Sequence, residues 1–310
     1  MKKILCVGHS AYDITYLLPN FPVENRKYKA QERIMVSGGP AGNASYLLGK
    51  YGEEVSYITT LGNDVYGNEI LNDLKSVGVD TKNILIKDEY VTPCSLIIAN
   101  GSNGSRTIIN YREEEKIDKI EFKYENEPKI LHFDGHELDL ALEAIRLFPN
   151  TIKVLDAGTF KKGTVVLGAL VDYLVCSEDF ARQYTGKTIN LNDPKKACEI
   201  FEEVEQINHK HAVVTLGEKG LLYRRDGKIT LMPAFKVKAV DTNGAGDIFH
   251  GAFAYAIKQQ LDFYDVLKIS SMASAISVQT LGAQSSIPQL TKVTSELQKK
   301  GNHYDKRIYL

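Results

Sequence analysis

Along most of the chain, short apolar runs alternate with amphipathic stretches, and the two follow different periods. The runs KILCVG, EVSYITTLG, KILHFDG, IKVLDAG, VDYLVCS and HAVVTLG are rich in Val, Ile and Leu and mostly end at Gly, Ser or Asp. Unbroken apolar segments of this length predict strands covered on both faces, as in a parallel sheet, because an exposed face would show alternate polar residues. Between them, VYGNEILNDLKSVGV, DLALEAIRLF and DPKKACEIFEEVEQI carry apolar residues at helical spacing and predict helices with one buried stripe. The alternation predicts an α/β fold, a doubly wound, mainly parallel sheet between helical layers.

Two segments break the rhythm. Residues 14–36 and 91–112 alternate as half-exposed strands do, and in the second the turn NGSNG joins two runs as a hairpin. They predict a small separate sheet. A lid over the carboxyl ends of the parallel strands is the natural use, and decorative hairpins are the plain alternative. The division is then an α/β domain of residues 1–13, 37–90 and 113–300, a β-lid of 14–36 and 91–112, and a charged, loosely held tail of 301–310. From residue 245 the pattern is helical, with Ser270, Ser271, Ala273, Ser274 and Ala275 small enough for a neighbour to approach closely.

Composition adds exclusions. With 310 residues, 43% hydrophobic and 25% charged, the chain can bury a full core without disulfides or metals. A formal charge of −1 gives no footprint for nucleic acid. The apolar run at the start stops after Val7, and none approaches the ~18 residues of a membrane helix, so the expectation is a cytoplasmic protein with no membrane partner. Cys6, Cys94, Cys176 and Cys198 are far apart and read as free thiols.

The stretch DTNGAGDIFHGAF at 241–253 carries the candidate chemistry. Gly244, Ala245 and Gly246 lie just ahead of Ile248, Phe249, Ala252, Phe253, Ala256 and Ile257, whose spacing is one buried helical face, so the glycines sit at a helix N-terminus. Unpaired amides and the helix dipole make that end a site for a phosphate or a developing negative charge. Asp247, in the first turn, either accepts a proton from a hydroxyl attacking a phosphoryl group or merely caps the helix; the flanking glycines and Asp241 favour the base. ARQYTGKT at 181–188 mimics a phosphate loop but follows a helical pattern and precedes Pro194, so Gly186 reads as a helix C-cap and Lys187 as a surface lysine. GHSAYD follows the first strand where a dinucleotide-binding dehydrogenase would carry GxGxxG, which excludes that class.

The segment at 241–249 resembles the second signature, D-T-x-G-A-G-D-x-F, of the ribokinase or PfkB-type carbohydrate kinases. SGGPAGNASYLLGKYG at 37–52 resembles the family's first glycine-rich signature, and VVTLGEKGLLY at 213–223 its nucleotide-binding strand and turn. The matching pieces run from residue 4 to about residue 288. The resemblance implies a ribokinase-like three-layer α/β/α domain with a small β-sheet lid. It implies transfer of the γ-phosphoryl group of ATP to a sugar hydroxymethyl, with Asp247 as base, the amides of Gly244, Ala245 and Gly246 as anion hole, and Mg²⁺ accompanying ATP.

By the same resemblance, Asp13, Gly38, Gly39 and Asn43 bind the sugar, and Thr215, Gly217, Gly220 and Ser177 face the nucleotide. The adenine would lie near Ala275, Val278 and Gly282. LGAQSSIP at 281–288, with Asp241 and Asn243, resembles a loop that binds K⁺ in several relatives. The chain departs from the family's N-x-x-E: Ser177, Glu178, Asp179 and Phe180 stand there, so either Glu178 or Asp179 takes over or the chain belongs to a branch that lacks the motif, and Glu178 and Asp241 are the candidate metal residues. GSNGSRTIINYR resembles the ketohexokinase-like branch, with Arg106 directed from the lid, and HFDGHE offers His136 and Glu137 to the same cleft. The expected substrate is a ketose or other furanose, since no stacking aromatic pair is evident in the lid. A nucleoside kinase and a non-catalytic sugar or nucleotide sensor are the alternatives, and the presence of Asp247 disfavours the sensor. Arg26, Lys27, Lys29 and Arg33 form either a site for an anionic group on the sugar or a solvated face. Exposed lid strands predict a homodimer, since relatives often pair lids.

Overall fold

The structure is a computed structural model that describes residues 3–113, 126–300 and 308–309. In chain order the first half contains β1 (Ile4–Val7), β2 (Ala11–Leu18), β3 (Glu32–Gly38), α1 (Pro40–Lys50), β4 (Val55–Ile58), β5 (Thr60–Gly62), α2 (Val65–Ser76), β6 (Leu85–Lys87), β7 (Cys94–Asn100), β8 (Arg106–Tyr111), β9 (Ile130–Phe133) and α3 (Leu138–Leu147). The second half contains β10 (Ile152–Ala157), α4 (Lys162–Leu170), β11 (Tyr173–Ser177), α5 (Glu178–Thr185), α6 (Pro194–Asn208), β12 (His211–Thr215), β13 (Leu221–Arg225), β14 (Lys228–Met232), α7 (Ala245–Lys258), α8 (Phe263–Ser277), α9 (Leu290–Lys300) and β15 (Ile308–Tyr309).

The main sheet runs β15-β14-β13-β12-β11-β10-β9-β1-β4, parallel from β12 to β4 and antiparallel from β12 outward to β15. Its strands are apolar on both faces because each face has its own helical layer. Ile4, Cys6, Ile130, Val154, Val175 and Val213 join one core with residues of α1, α2, α7 and α8, while Leu5, Val7, Leu131, Leu155, Leu174 and Val214 join a second with α3 to α6. Each such side chain contributes roughly 1.5–3 kcal/mol on burial. This is the three-layer α/β/α architecture that the strand and helix periods predict.

The irregular segments form a four-stranded sheet in the order β3-β2-β7-β8. Strand β2 is antiparallel to β3 and parallel to β7, and β7 is antiparallel to β8. Pairing begins at Ala11, so Asp13 lies on this small sheet and not on β1. The register sets Val36, Asp13, Ser95 and Asn110 in a row on one face and Met35, Ile14, Leu96 and Ile109 on the other. Gly186 closes α5 in the left-handed conformation (φ 68°), and Lys187 pairs with Glu203 at the surface, as the C-cap reading requires. Of the segment read as a loose tail, Ile308 and Tyr309 pair with Leu231 and Thr230 on β14. No helix among the described residues is long and apolar enough to cross a membrane.

Candidate active site

The turn before α7 is built from backbone constraints. Gly244 sits at φ 71°, where a Cβ would lie 2.5 Å from that of Ala283. Only glycine suits that conformation and that contact. The Ile248 N–H donates to the Gly244 carbonyl at 2.9 Å, the first α-helical bond; before it the Ala245 N–H makes a long 3.4 Å bond to the Thr242 carbonyl and the Gly246 amide belongs to the open helix end. Gly246 is exposed, and a Cβ there would meet nothing within 4 Å, so free space lies before the amides. Asp241 holds the approach: one carboxylate oxygen accepts the Asn243 N–H at 2.9 Å and the other the Gly282 N–H at 2.9 Å. From the small sheet, Arg106 donates to the Thr242 hydroxyl.

The half-buried Asp247 accepts a 2.7 Å hydrogen bond from Nδ2 of Asn43, which lies in the first turn of α1. That helix follows Gly39, at φ 85°, where a Cβ would lie 2.6 Å from the His9 carbonyl oxygen, and Pro40 stands just inside its start. The buried Oδ1 of Asn43 has no hydrogen-bond partner. Asp13 sits against Gly38, close enough that a Cβ there would collide with its carboxyl group, and Asn243 Nδ2 approaches its Oδ2 at 3.5 Å. Burial pushes Asp13 up to about 6; the bond from Ser95 opposes the shift and the nearby Asp247 adds to it. Burial likewise raises Asp247, opposed by Asn43 and by the charge of Arg106. Asp13, Gly38, Gly39, Asn43, Arg106 and the Gly244–Asp247 turn, predicted from separate parts of the chain, therefore lie in one connected network.

Further polar side chains gather at the ends of β1, β9 and β10. Asp134 accepts backbone N–H bonds from His9 (2.7 Å), Ala41 (3.2 Å) and His136 (2.9 Å). The His9 and His136 rings stack at 4.9 Å. Arg112 donates to Glu137 at 2.6 Å and to His136 Nδ1 at 2.9 Å, while Lys161 Nζ lies 2.8 and 3.0 Å from the two nitrogens of the same imidazole. Asp156, buried at the end of β10, contacts Nε2 of His250 on α7 at 3.1 Å. Burial pushes Asp156 up and His250 down. Sequence reasoning picked out His136 and Glu137 but missed Asp134, Asp156, Arg112 and Lys161. The available signal was an acidic residue at the end of an otherwise apolar strand, as in HFDG and VLDAG.

The expected nucleotide residues occupy the ends of β11 and β12. Ser177 and Thr215 are register partners there; Ser177 caps α5 through the Phe180 N–H at 3.0 Å, and Thr215 donates to the Cys176 carbonyl at 3.2 Å. Gly217 and Gly220 shape the turn into β13. Val278 and Gly282 are tied to the Asp241 segment: the Val278 carbonyl accepts the Val240 N–H at 2.7 Å and the Gly282 N–H donates to Asp241. Both oxygens of Glu178 lie 2.7 Å from Lys219 Nζ, and both of Asp241 accept backbone N–H groups. Among the described residues no group of three or more His, Cys, Asp or Glu could hold a metal ion. The described side chains therefore offer no carboxylate, imidazole or thiolate cage for a divalent metal.

Comparison with known proteins decides what this arrangement belongs to: the pfkB family carbohydrate kinase pattern matches residues 1–290. The chain belongs to the pfkB family of carbohydrate kinases. A pfkB-family chain is a phosphotransferase with an alcohol group as acceptor, and this one is similar over its whole length to curated relatives. It is 28% identical over 309 residues to a ribokinase of Lactococcus lactis, covering 96% of this chain and 97% of the relative. It is 26% identical over 303 residues to a deoxyribokinase of Salmonella typhimurium, covering 95% and 98%. Among solved structures, a ribokinase of Thermotoga maritima superposes with a TM-score of 0.81 at 28% identity, covering 96% of this kinase and all of that chain. A putative ribokinase from Agrobacterium tumefaciens reaches 0.84 at 23% identity, covering 96% and 98%, and shares the ribokinase-like fold.

Proposed function

We propose that this kinase transfers the γ-phosphoryl group of ATP to a hydroxymethyl group of a furanose- or ketose-type sugar. The observation that carries the proposal is the 2.7 Å bond from Asn43 to Asp247, which fixes a carboxylate in the first turn of α7 within the network that contains Asp13. Asp13, Asn43 and the backbone at Gly38 and Gly39 hold the sugar hydroxyls; the unpartnered Oδ1 of Asn43 is a free acceptor for one of them. The terminal phosphate meets the amides of Gly244, Ala245 and Gly246. Asp247 takes the proton of the hydroxymethyl as its oxygen bonds to phosphorus and the bond to ADP breaks. Such a transition state is loose, so positioned donors and a weakly basic carboxylate suffice.

Mg²⁺ enters as part of the nucleotide substrate, and the phosphates run past Ser177, Thr215, Gly217 and Gly220 toward an adenine site at Ala275, Val278 and Gly282. Backbone oxygens around 281–288, braced by Asp241, are the proposed place for K⁺. An Arabidopsis thaliana ribokinase solved with ribose and ATP, and a putative ribokinase II of E. coli solved with ATP and Mg²⁺, support the choice of substrates. A nucleoside acceptor is disfavoured by the small sheet: the row bearing Asp13 consists of Val36, Ser95 and Asn110, with no ring to stack on a base. On the opposite face, Met35, Leu96 and Ile109 are exposed beside Ile14, and this apolar row is the proposed homodimer contact.

The test is ATP-dependent phosphorylation of a panel of ribose, deoxyribose, fructose and adenosine by the wild type and Asp247→Asn. The expected result is turnover of a sugar that the substitution nearly abolishes. Adenosine turnover exceeding that of every sugar overturns the substrate class, and near-full turnover by the variant overturns the base.

A further inference from the structure

We propose that the sugar phosphorylated here carries an anionic group, phosphate or sulfonate, which is received by Arg112 and Lys161 around His136. The inference rests on the sugar-kinase reading and specifies its substrate. Three elements supply the cluster: Arg112 follows β8, Lys161 precedes α4, and His136 lies between β9 and α3. Arg112 continues the alternation of Arg106, Ile108 and Asn110, the face of the small sheet that carries Asp13.

Counting donors and acceptors shows what is missing. A neutral imidazole has one lone pair to offer and one N–H. Burial pushes His136 down to about 4, and the charges of Lys161 and Arg112 act in the same direction, so at neutral pH the ring is neutral. Yet Nδ1 faces both Arg112 (2.9 Å) and Lys161 (3.0 Å), and Nε2 faces Lys161 again (2.8 Å). So close to both nitrogens at once, Lys161 Nζ stands over the ring face and on neither lone-pair axis, so the imidazole gives the ammonium no proper acceptor in either tautomer. The nearby carboxylates are committed: Glu137 to Arg112, Asp134 to three backbone amides, Asp156 to His250. The buried His9 ring, stacked on His136, has an Nε2 with no partner. Arg112 has one carboxylate on one arm of its fork and turns the other to the imidazole, while Lys161 has only the imidazole, so the two cations hold more donors than the cluster has acceptors, and a tetrahedral oxyanion supplies the rest.

The cluster also lies where a substrate would reach it. Contacts lead from the base to the cluster: Asp247 to Asn43, the Asn43 N–H to the Gly39 carbonyl at 2.8 Å, Gly39 against the His9 carbonyl, and His9 on His136. A sugar held by Asn43 and Gly39 with one end at Asp247 presents its other end to Arg112 and Lys161. Arg26, Lys27, Lys29 and Arg33, the cations that the sequence suggested for this task, are all exposed on the segment joining β2 and β3 and on the start of β3.

The experiment compares kcat/KM, with saturating MgATP, for ribose and fructose and for their terminally phosphorylated and sulfonated counterparts. The expected result is a preference of roughly tenfold or more for an anionic sugar over its neutral parent. Whether the phosphate or the sulfonate leads identifies the oxyanion. Lys161→Gln should reduce that preference by roughly tenfold, mainly through KM, and Lys161→Arg should restore much of it. Equal or better use of the neutral sugar overturns the proposal, as does an unchanged preference in a folded Lys161→Gln. If the variant does not fold, the wild-type comparison alone decides. Absence of phosphoryl transfer to every sugar removes the kinase reading, and this inference with it.

Discussion

Asp13 couples the proposed substrate site to the stability of the protein. Its folded-state value, about 6 against an ordinary 3.8, means that the native protein holds this proton more tightly than the unfolded chain does. The stabilisation is therefore complete below the ordinary carboxylate range and is lost as pH rises through about 6. The difference corresponds to roughly 3 kcal/mol. Asp13→Asn removes that cost, so the variant should melt higher than the wild type at about pH 7.5, and the difference should vanish toward about pH 4. Thermal melts across that range check it; a variant that melts lower at neutral pH contradicts the burial argument. The same change should raise KM for the sugar, because an amide cannot replace both acceptor oxygens. Asp247→Asn differs in kind: kcat should fall by about 10²- to 10⁴-fold with the apparent affinity for ATP within a few-fold, as measured by initial rates. Since burial raises Asp247 too, the wild-type rate should fall on the acid side at a pH above the usual carboxylate range.

The start of α7 contains two glycines that should respond oppositely to the same substitution. Gly244→Ala forces a Cβ into the left-handed conformation and against Ala283, and should cost about 2 kcal/mol of stability. Gly246→Ala meets no atom and lies in the helix, so its stability should hold or rise by a few tenths of a kcal/mol while KM for ATP increases, because the methyl enters the space before the amides. Melting temperatures and nucleotide KM values for the pair check this; equal destabilisation would refute the open helix end. Elements of this kind were legible in the sequence because their physics is local: glycines ahead of an apolar helical stripe, or an unbroken apolar run ending in a polar residue. The helix KGTVVLGAL was not legible, since it is short, nearly all apolar and lacks a stripe. Nor was the cluster around His136. Its members come from three elements far apart in sequence, and nothing local distinguishes Arg112 or Lys161 from surface cations.

At the scale of the molecule, the small sheet has two faces with different fates. The face with Asp13, Ser95 and Asn110 carries the proposed sugar contacts, and the opposite one leaves Met35, Leu96 and Ile109 in solvent. Covering that row by a second copy predicts a dimer at micromolar concentration. Ile109→Lys should shift it to monomer in analytical ultracentrifugation with the melting temperature little changed; a wild type that sediments as a monomer refutes the contact. The joints of this sheet are equally defined. A single oxygen of Asp134 grips the chain at His9, where it departs for β2, and again at Ala41, just after it returns from β3. That oxygen is a rivet: it ties both ends of the β2–β3 hairpin to the end of β9, and α1 with Asn43 starts from the same point. On the proposed reading, Asp13 belongs to the leaf and Asn43 to the body, so a sugar gripped by both would hold the two together and keep water from the reacting oxygen.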